Sequence, residues 1–201
     1  EAALGDEDTL NIGEGDNIVI AGQGADTVTT GSGSDTVIGD SGEINFEAGV
    51  MTDLQSTGTN SGGDDSITTL GGDNTVVGGF GSDTITTDSG NDSILGDNGE
   101  LSYSAGILTN AVSSAAALGD ADTLNVGEGD NIVIAGQGAD SVNTGSGSDT
   151  VIGDSGEINF EAGVMTDLQS TGTNSGGDDS ITTLGGDNTV VGGFGSDTIT
   201  T

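Results

Sequence analysis

The chain has 201 residues and a formal net charge of −34, from 34 acidic residues and no Lys, Arg or His. It also has no Cys, Pro or Trp, which excludes disulfides, thiolate nucleophiles, zinc-finger sites and Schiff-base lysines. No basic residue can neutralise phosphate, so nucleic acid is not an expected partner, and no apolar run approaches the ~20 residues of a membrane span.

Forty glycines and 2% aromatic residues describe a chain too poor in apolar surface to fold by burial alone. Internal repetition changes that reading. A shift of 114 positions lays residues 1–87 on 115–201, with differences only at Glu1/Ala115, Glu7/Ala121, Ile12/Val126, Thr27/Ser141 and Thr29/Asn143. A looser repeat sits at half that distance, 57 residues, aligning GDSGEINFEAGVMTDLQS from Gly39 with GDNGELSYSAGILTNAVS from Gly96. The chain reads as an excerpt of a longer array.

Within each unit lies a period of nine. The first unit runs DEDTLNIGE (Asp6), GDNIVIAGQ (Gly15), GADTVTTGS (Gly24) and GSDTVIGDS (Gly33). Each nonapeptide is a polar, Gly-containing turn followed by a β-branched run, the pattern of turn then strand. The sixth position is always Asp or Asn. The eighth is always aliphatic, from Leu10, Val19, Val28 and Val37 through to Ile199. Strand side chains alternate faces, so one inward aliphatic per nonapeptide predicts a thin core that needs another stabiliser.

Recurring carboxylates with glycine-freed backbone carbonyls supply hard oxygen ligands, which suit Ca2+. The candidate metal ligands are Asp8, Asp26, Asp35, Asp65, Asp83, Asp92, Asp122, Asp140, Asp149, Asp179 and Asp197. Asn17, Asn74, Asn131 and Asn188 fill the same position as weaker ligands, and Asp40, Asp97 and Asp154 are further candidates.

These motifs resemble the repeats-in-toxin (RTX, haemolysin-type) calcium-binding nonapeptides, consensus G-G-x-G-x-D-x-U-x. GGFGSDTIT, from Gly78 and again from Gly192, fits every specified position. Departures are the four Asn and Asp6 in place of a glycine; Asp16 and Asp73, one residue before Asn17 and Asn74, are placed to compensate. The resemblance implies an all-β, right-handed parallel β-roll or β-solenoid, two nonapeptides to a coil, with calcium at both edges. It also implies type I secretion to the extracellular space or bacterial cell surface, with folding outside the cell.

Between the arrays, EINFEAGVMTDLQSTGT (Glu43–Thr59) and ELSYSAGILTNAVSSAA (Glu100–Ala116) each read as two short strands about a Gly-containing turn. A hairpin or an enlarged coil is expected every 57 residues, with Val50, Met51 and Leu54 adding apolar cover; the alternative is a linker, since 56–63 is rich in Ser, Thr and Gly. Phe46 and Tyr103 fall on position eight, so the solenoid register is expected to continue into the first strand. The resulting divisions are β-roll blocks at 3–42, 60–99, 117–156 and 174–201, with hairpins or enlarged coils at 43–59, 100–116 and 157–173. About three coils per unit, or ~14 Å of rise, are expected.

Outward positions divide the roll into a hydroxylic face (Thr27/Thr29, Thr84/Thr86) and a partly aliphatic one (Ile18/Ile20, Thr36/Ile38). The aliphatic face is expected to be covered by the Glu43–Thr59 segment or by a second solenoid, the latter giving lateral self-association. The functional reading is a non-enzymatic calcium-stabilised spacer or fibre segment of a large secreted adhesin, filament or matrix protein, partnered by calcium ions and neighbouring repeats. Alternatives are the calcium-dependent folding region of a type I-secreted enzyme or toxin, and an ice-binding adhesin repeat.

Overall fold

The computed structural model describes residues 5–58, 62–114, 119–172 and 176–201. The expected boundaries at 3, 59/60, 116/117 and 173/174 lie outside the described residues. All described regular structure is β, in three sheets.

Sheet A is parallel and takes alternate nonapeptide strands. These are β1 (Thr9–Asn11), β3 (Thr27–Thr29), β7 (Ser66–Thr68), β9 (Thr84–Thr86), β13 (Thr123–Val126), β15 (Ser141–Thr144), β19 (Ser180–Thr182) and β21 (Thr198–Thr200). Sheet B, also parallel, takes the others: β2 (Ile18–Ile20), β4 (Thr36–Ile38), β8 (Thr75–Gly79), β10 (Ser93–Asp97), β14 (Ile132–Gly136), β16 (Thr150–Asp154) and β20 (Thr189–Val191). Two nonapeptides therefore make one coil of a parallel β-roll.

Position eight sets the register. Leu10 pairs with Val28, Val28 with Ile67 and Ile67 with Ile85 in sheet A, while Val19, Val37, Val76 and Ile94 form the matching row in sheet B. These side chains meet between the sheets as one buried row, and from Val28 to Ile181 its members are fully buried. A one-residue slip would turn every aliphatic outward, so this row fixes the pairing.

Successive strands of a sheet are offset by 18 residues within a unit (Thr9 to Thr27) and by 39 across the intervening block (Thr27 to Ser66). The sum is the 57-residue repeat, so each unit adds two coils rather than three. Its rise is about 9.6 Å at the ordinary strand spacing. The 21 surplus residues, 39 less 18, leave the roll.

They form hairpins: β5 (Gly42–Glu47) with β6 (Val50–Ser56), β11 (Gly99–Ser104) with β12 (Ile107–Ser113), and β17 (Gly156–Glu161) with β18 (Val164–Ser170). Neighbouring hairpins pair edge to edge, β6 with β11 and β12 with β17, giving antiparallel sheet C. Phe46 and Tyr103 thus leave the solenoid register, because β5 and β11 pair antiparallel with their own hairpin partners. Serine hydroxyls tie the hairpins together: the Gly99 N–H donates to Ser56 Oγ and the Gly156 N–H to Ser113 Oγ, both at 2.9 Å.

Sheet C covers the outer, aliphatic face of sheet B. Ile38, Val77, Leu95, Ile134 and Ile152 are fully buried in a second core with Leu54, Leu101, Ala111 and Ile158 from the hairpins. Over these residues the face is closed by the chain itself, which leaves no room there for a second solenoid. Leu54 and Met51 supply cover as expected, whereas Val50 is 43% exposed at the hairpin tip. The outer face of sheet A stays open and presents Thr27, Ser66 and Thr84 to solvent.

Candidate metal centres

Each turn ends in position six, and stacking the coils brings these residues into two rows. Along the first edge the row is Asp8, Asp26, Asp65, Asp83, Asp122, Asp140, Asp179 and Asp197. The backbone N–H of each donates to Oδ1 of the next, at 2.7–3.1 Å. Along the second edge, Asn17, Asp35, Asn74, Asp92, Asn131, Asp149 and Asn188 are joined in the same way at 2.8–3.0 Å. Sequence reading found both rows but not their difference: one is all Asp, the other alternates Asn and Asp.

In the first row one carboxylate oxygen is used and the other is not. Oδ2 of Asp26, Asp65, Asp83, Asp122, Asp140 and Asp179 is buried and makes no hydrogen bond. Asp40, Asp97 and Asp154, where sheet B strands end and hairpins begin, extend this first edge. Oδ2 of Asp40 accepts the Phe80 N–H at 2.6 Å and Asp97 accepts the Gln137 N–H in the same way, while Oδ1 of all three is buried without a partner. Their seat is built from glycine. A Cβ on Gly79 would come within 2.4 Å of Asp40 Oδ2, and φ there is +126°, a conformation that disfavours any L side chain.

Burial dominates the titration of these groups. It pushes Asp83 up to about 9 and Asp122 to about 10, and neighbouring carboxylates (Asp65 and Asp40 at Asp83; Asp83 and Asp97 at Asp122) add to the effect. Asp140 is raised to about 8, Asp65, Asp97 and Asp179 to about 7, and Asp40 to about 6, burial again being the main cause. Asp92, on the second edge, is also raised by burial.

Buried, repelling carboxylates in a chain without Lys, Arg or His call for a cation from solution. The donors are all hard oxygens, which fits calcium. Among the described residues no three acidic side chains converge as a ready carboxylate cage, so backbone carbonyls of the turns must complete any coordination shell.

Asp16 and Asp73 do not compensate for their Asn neighbours. They point outward, exposed, and accept the Ser34 and Asn91 N–H groups at 2.8 Å. Asp64, Asp130 and Asp178 do the same for Ser82, Ser148 and Ser196. This outer ladder follows from side-chain alternation, since residues adjacent to position six face the other way.

A parallel roll whose stacked turns are lined with half-satisfied Asp carboxylates has the build of a calcium-binding β-solenoid. The chain belongs to the RTX calcium-binding nonapeptide repeat family, whose model matches four times, over residues 11–43, 68–100, 117–156 and 175–200. Repeats of this family bind Ca2+ and serve as structural elements typical of proteins exported by type I secretion. No curated protein and no solved structure matches the chain.

Proposed function

We propose that the chain is a calcium-rigidified spacer or fibre segment of a large secreted bacterial surface protein, an adhesin, filament or matrix component, and not an enzyme. The observation that carries this reading is continuity across units. Sheets A and B pass every unit boundary without a break in register, and the hairpins knit to one another as well as to the roll. Such an array gains length and nearest-neighbour stability with every unit. Neighbouring repeats are the natural partners. Ile18 and Ile20, 57% and 44% exposed, correspond by the 114-residue shift to Ile132 and Ile134, which pack beneath hairpins.

In this reading the ligands are the position-six Asp side chains of the first row with Asp40, Asp97 and Asp154, and export precedes folding because calcium is plentiful outside the cell. The test is length. Negative-stain microscopy of tandem arrays of increasing unit number, in calcium, is expected to show straight rods growing by about 1 nm per unit. Rods that collapse into compact particles, or that keep their length in chelator, would count against a calcium-stiffened spacer.

A further inference from the structure

We propose that calcium is confined to the all-Asp edge, and that the four Asn turns take none because the Asn side-chain amide stands where the cation would. This deepens the calcium reading above and rests on it.

The observation is a set of hydrogen bonds repeated at each Asn. Nδ2 of Asn17 donates to the backbone carbonyls of Gly13 and Gly15, four and two residues back, at 3.0 and 2.5 Å. Asn74 donates to the carbonyls of Leu70 and Gly72 at 3.1 and 2.8 Å. Asn131 donates to those of Gly127 and Gly129 at 3.1 and 2.9 Å. Asn188 reaches the Leu184 carbonyl at 3.2 Å. The same amide continues into the stack in two places, with Nδ2 of Asn17 and Asn131 donating to Oδ1 of Asp35 and Asp149 at 2.8 and 3.0 Å.

An amide NH2 is a donor only, and it carries the positive end of its dipole into the ring of turn carbonyls. Those carbonyls are oxygen ligands that a cation would need. An Asp in the same place has no proton to offer when ionised and leaves them to an ion.

Two further differences separate the edges. The glycine two residues before position six has positive φ on both, as at Gly15, Gly72, Gly24 and Gly81. Four residues before, only the all-Asp edge repeats it, at Gly22, Gly79, Gly136 and Gly193. The second edge has Gly13, Gly31, Gly127 and Gly145 there without positive φ, and otherwise Leu70, Asp88 and Leu184, side chains that a left-handed conformation disfavours.

Five residues before, the Asp of the second edge have a threonine: Thr30 for Asp35, Thr87 for Asp92 and Thr144 for Asp149. Thr144 Oγ1 donates to Asp149 Oδ2 at 2.6 Å, whereas Oδ2 of Asp35 and Asp92 is buried without a hydrogen bond, like its counterparts on the first edge. Both of these lie between Asn neighbours in the row, Asp35 between Asn17 and Asn74, and Asp92 between Asn74 and Asn131. On the first edge, Ala21, Gly78, Ala135 and Gly192 occupy the threonine's place before Asp26, Asp83, Asp140 and Asp197 and have no hydroxyl to give.

The test is the number of calcium ions bound by the 201-residue chain, measured by calorimetric titration, for pairs of substitutions. Asp83→Asn with Asp140→Asn is expected to lose bound ions, and Asp92→Asn with Asp149→Asn to lose none. Asn74→Asp with Asn131→Asp is expected to gain ions. An equal loss from the first two pairs would overturn the proposal while leaving the calcium reading intact. No calcium binding by the unsubstituted chain would overturn both. If a variant does not fold, crystals of the unsubstituted chain loaded with terbium(III) decide by anomalous scattering: peaks along the Asp26–Asp179 edge alone support the proposal, and peaks beside Asn74 and Asn131 refute it.

Discussion

The Asp83 backbone N–H donates to Oδ1 of Asp122 across 2.8 Å, while Oδ2 of Asp122 is buried and makes no hydrogen bond. One oxygen belongs to the fold, and in the proposed reading its twin is left for a cation. Repeated along the edge, this arrangement would couple folding to calcium under the proposed reading, because the turns stack by bringing like charges together.

A pH dependence of the metal-free chain follows. Asp83, Asp122 and Asp140 are raised from 3.8 to about 9, 10 and 8. A folded-state value above the unfolded one means the fold prefers the protonated group. The stability is therefore fully present below about pH 4 and is lost as pH rises through about 8–10. In chelator, circular dichroism should show more β-structure at pH 5 than at pH 9, and calcium at pH 9 should restore it. More structure at the alkaline end in chelator would be incompatible with this coupling.

Asp122→Asn separates the two roles of the carboxylate. The amide oxygen can still accept the Asp83 N–H, and the cost of protonating a carboxylate on folding disappears. The metal-free fold should gain about 1–3 kcal/mol at pH 8, the scale of an unsatisfied buried group. Thermal melts in chelator should rise and the calcium-induced increment should shrink. A lower melting temperature in chelator would show that Asp122 does not repel its neighbours.

The second core makes a different prediction. Leu101 is fully buried, paired across sheet C with Leu54 and Ala111. Leu101→Ala should cost about 2–5 kcal/mol, and amide exchange should show the hairpins loosening before sheets A and B. Val50→Ser, at an exposed tip, should stay within about 0.5 kcal/mol. Equal effects from the two would mean that sheet C is not packed on the roll.

The roll was legible because its two determinants are single-residue periodicities. Aliphatic position eight fixes the facing of every strand, and Asp or Asn at position six marks every turn. The hairpins were only half legible. Phe46 and Tyr103 fall on the nine-residue register by count, yet local pairing of β5 with β6 and β11 with β12 takes them out of it, since a two-residue turn lets antiparallel partners meet without a crossover. The unlike edges were hidden for another reason. Asn and Asp are near-isosteres, and only the direction of the Asn74 amide toward Leu70 and Gly72 shows that the substitution exchanges an acceptor for a donor.

The hairpin turns offer the last prediction. Ala48, Ala105 and Ala162 have φ of 52°, 52° and 51°, and the glycines after them, Gly49, Gly106 and Gly163, have φ of 83°, 79° and 78°. Two consecutive positive φ values define the type I′ turn that matches the twist of a two-residue hairpin. Alanine is poorly suited to the first site, where its Cβ costs about 1–2 kcal/mol, and asparagine is favoured there. Ala105→Asn should therefore stabilise the calcium-loaded chain by about 1 kcal/mol in denaturant unfolding, whereas Gly106→Ala should destabilise it by a similar amount. The space around Gly106 is open, its nearest neighbour to an added Cβ being Val50 Cγ1 at 3.8 Å. Any loss on Gly106→Ala would then report backbone conformation and not a clash, and a neutral Gly106→Ala would rule out the type I′ geometry.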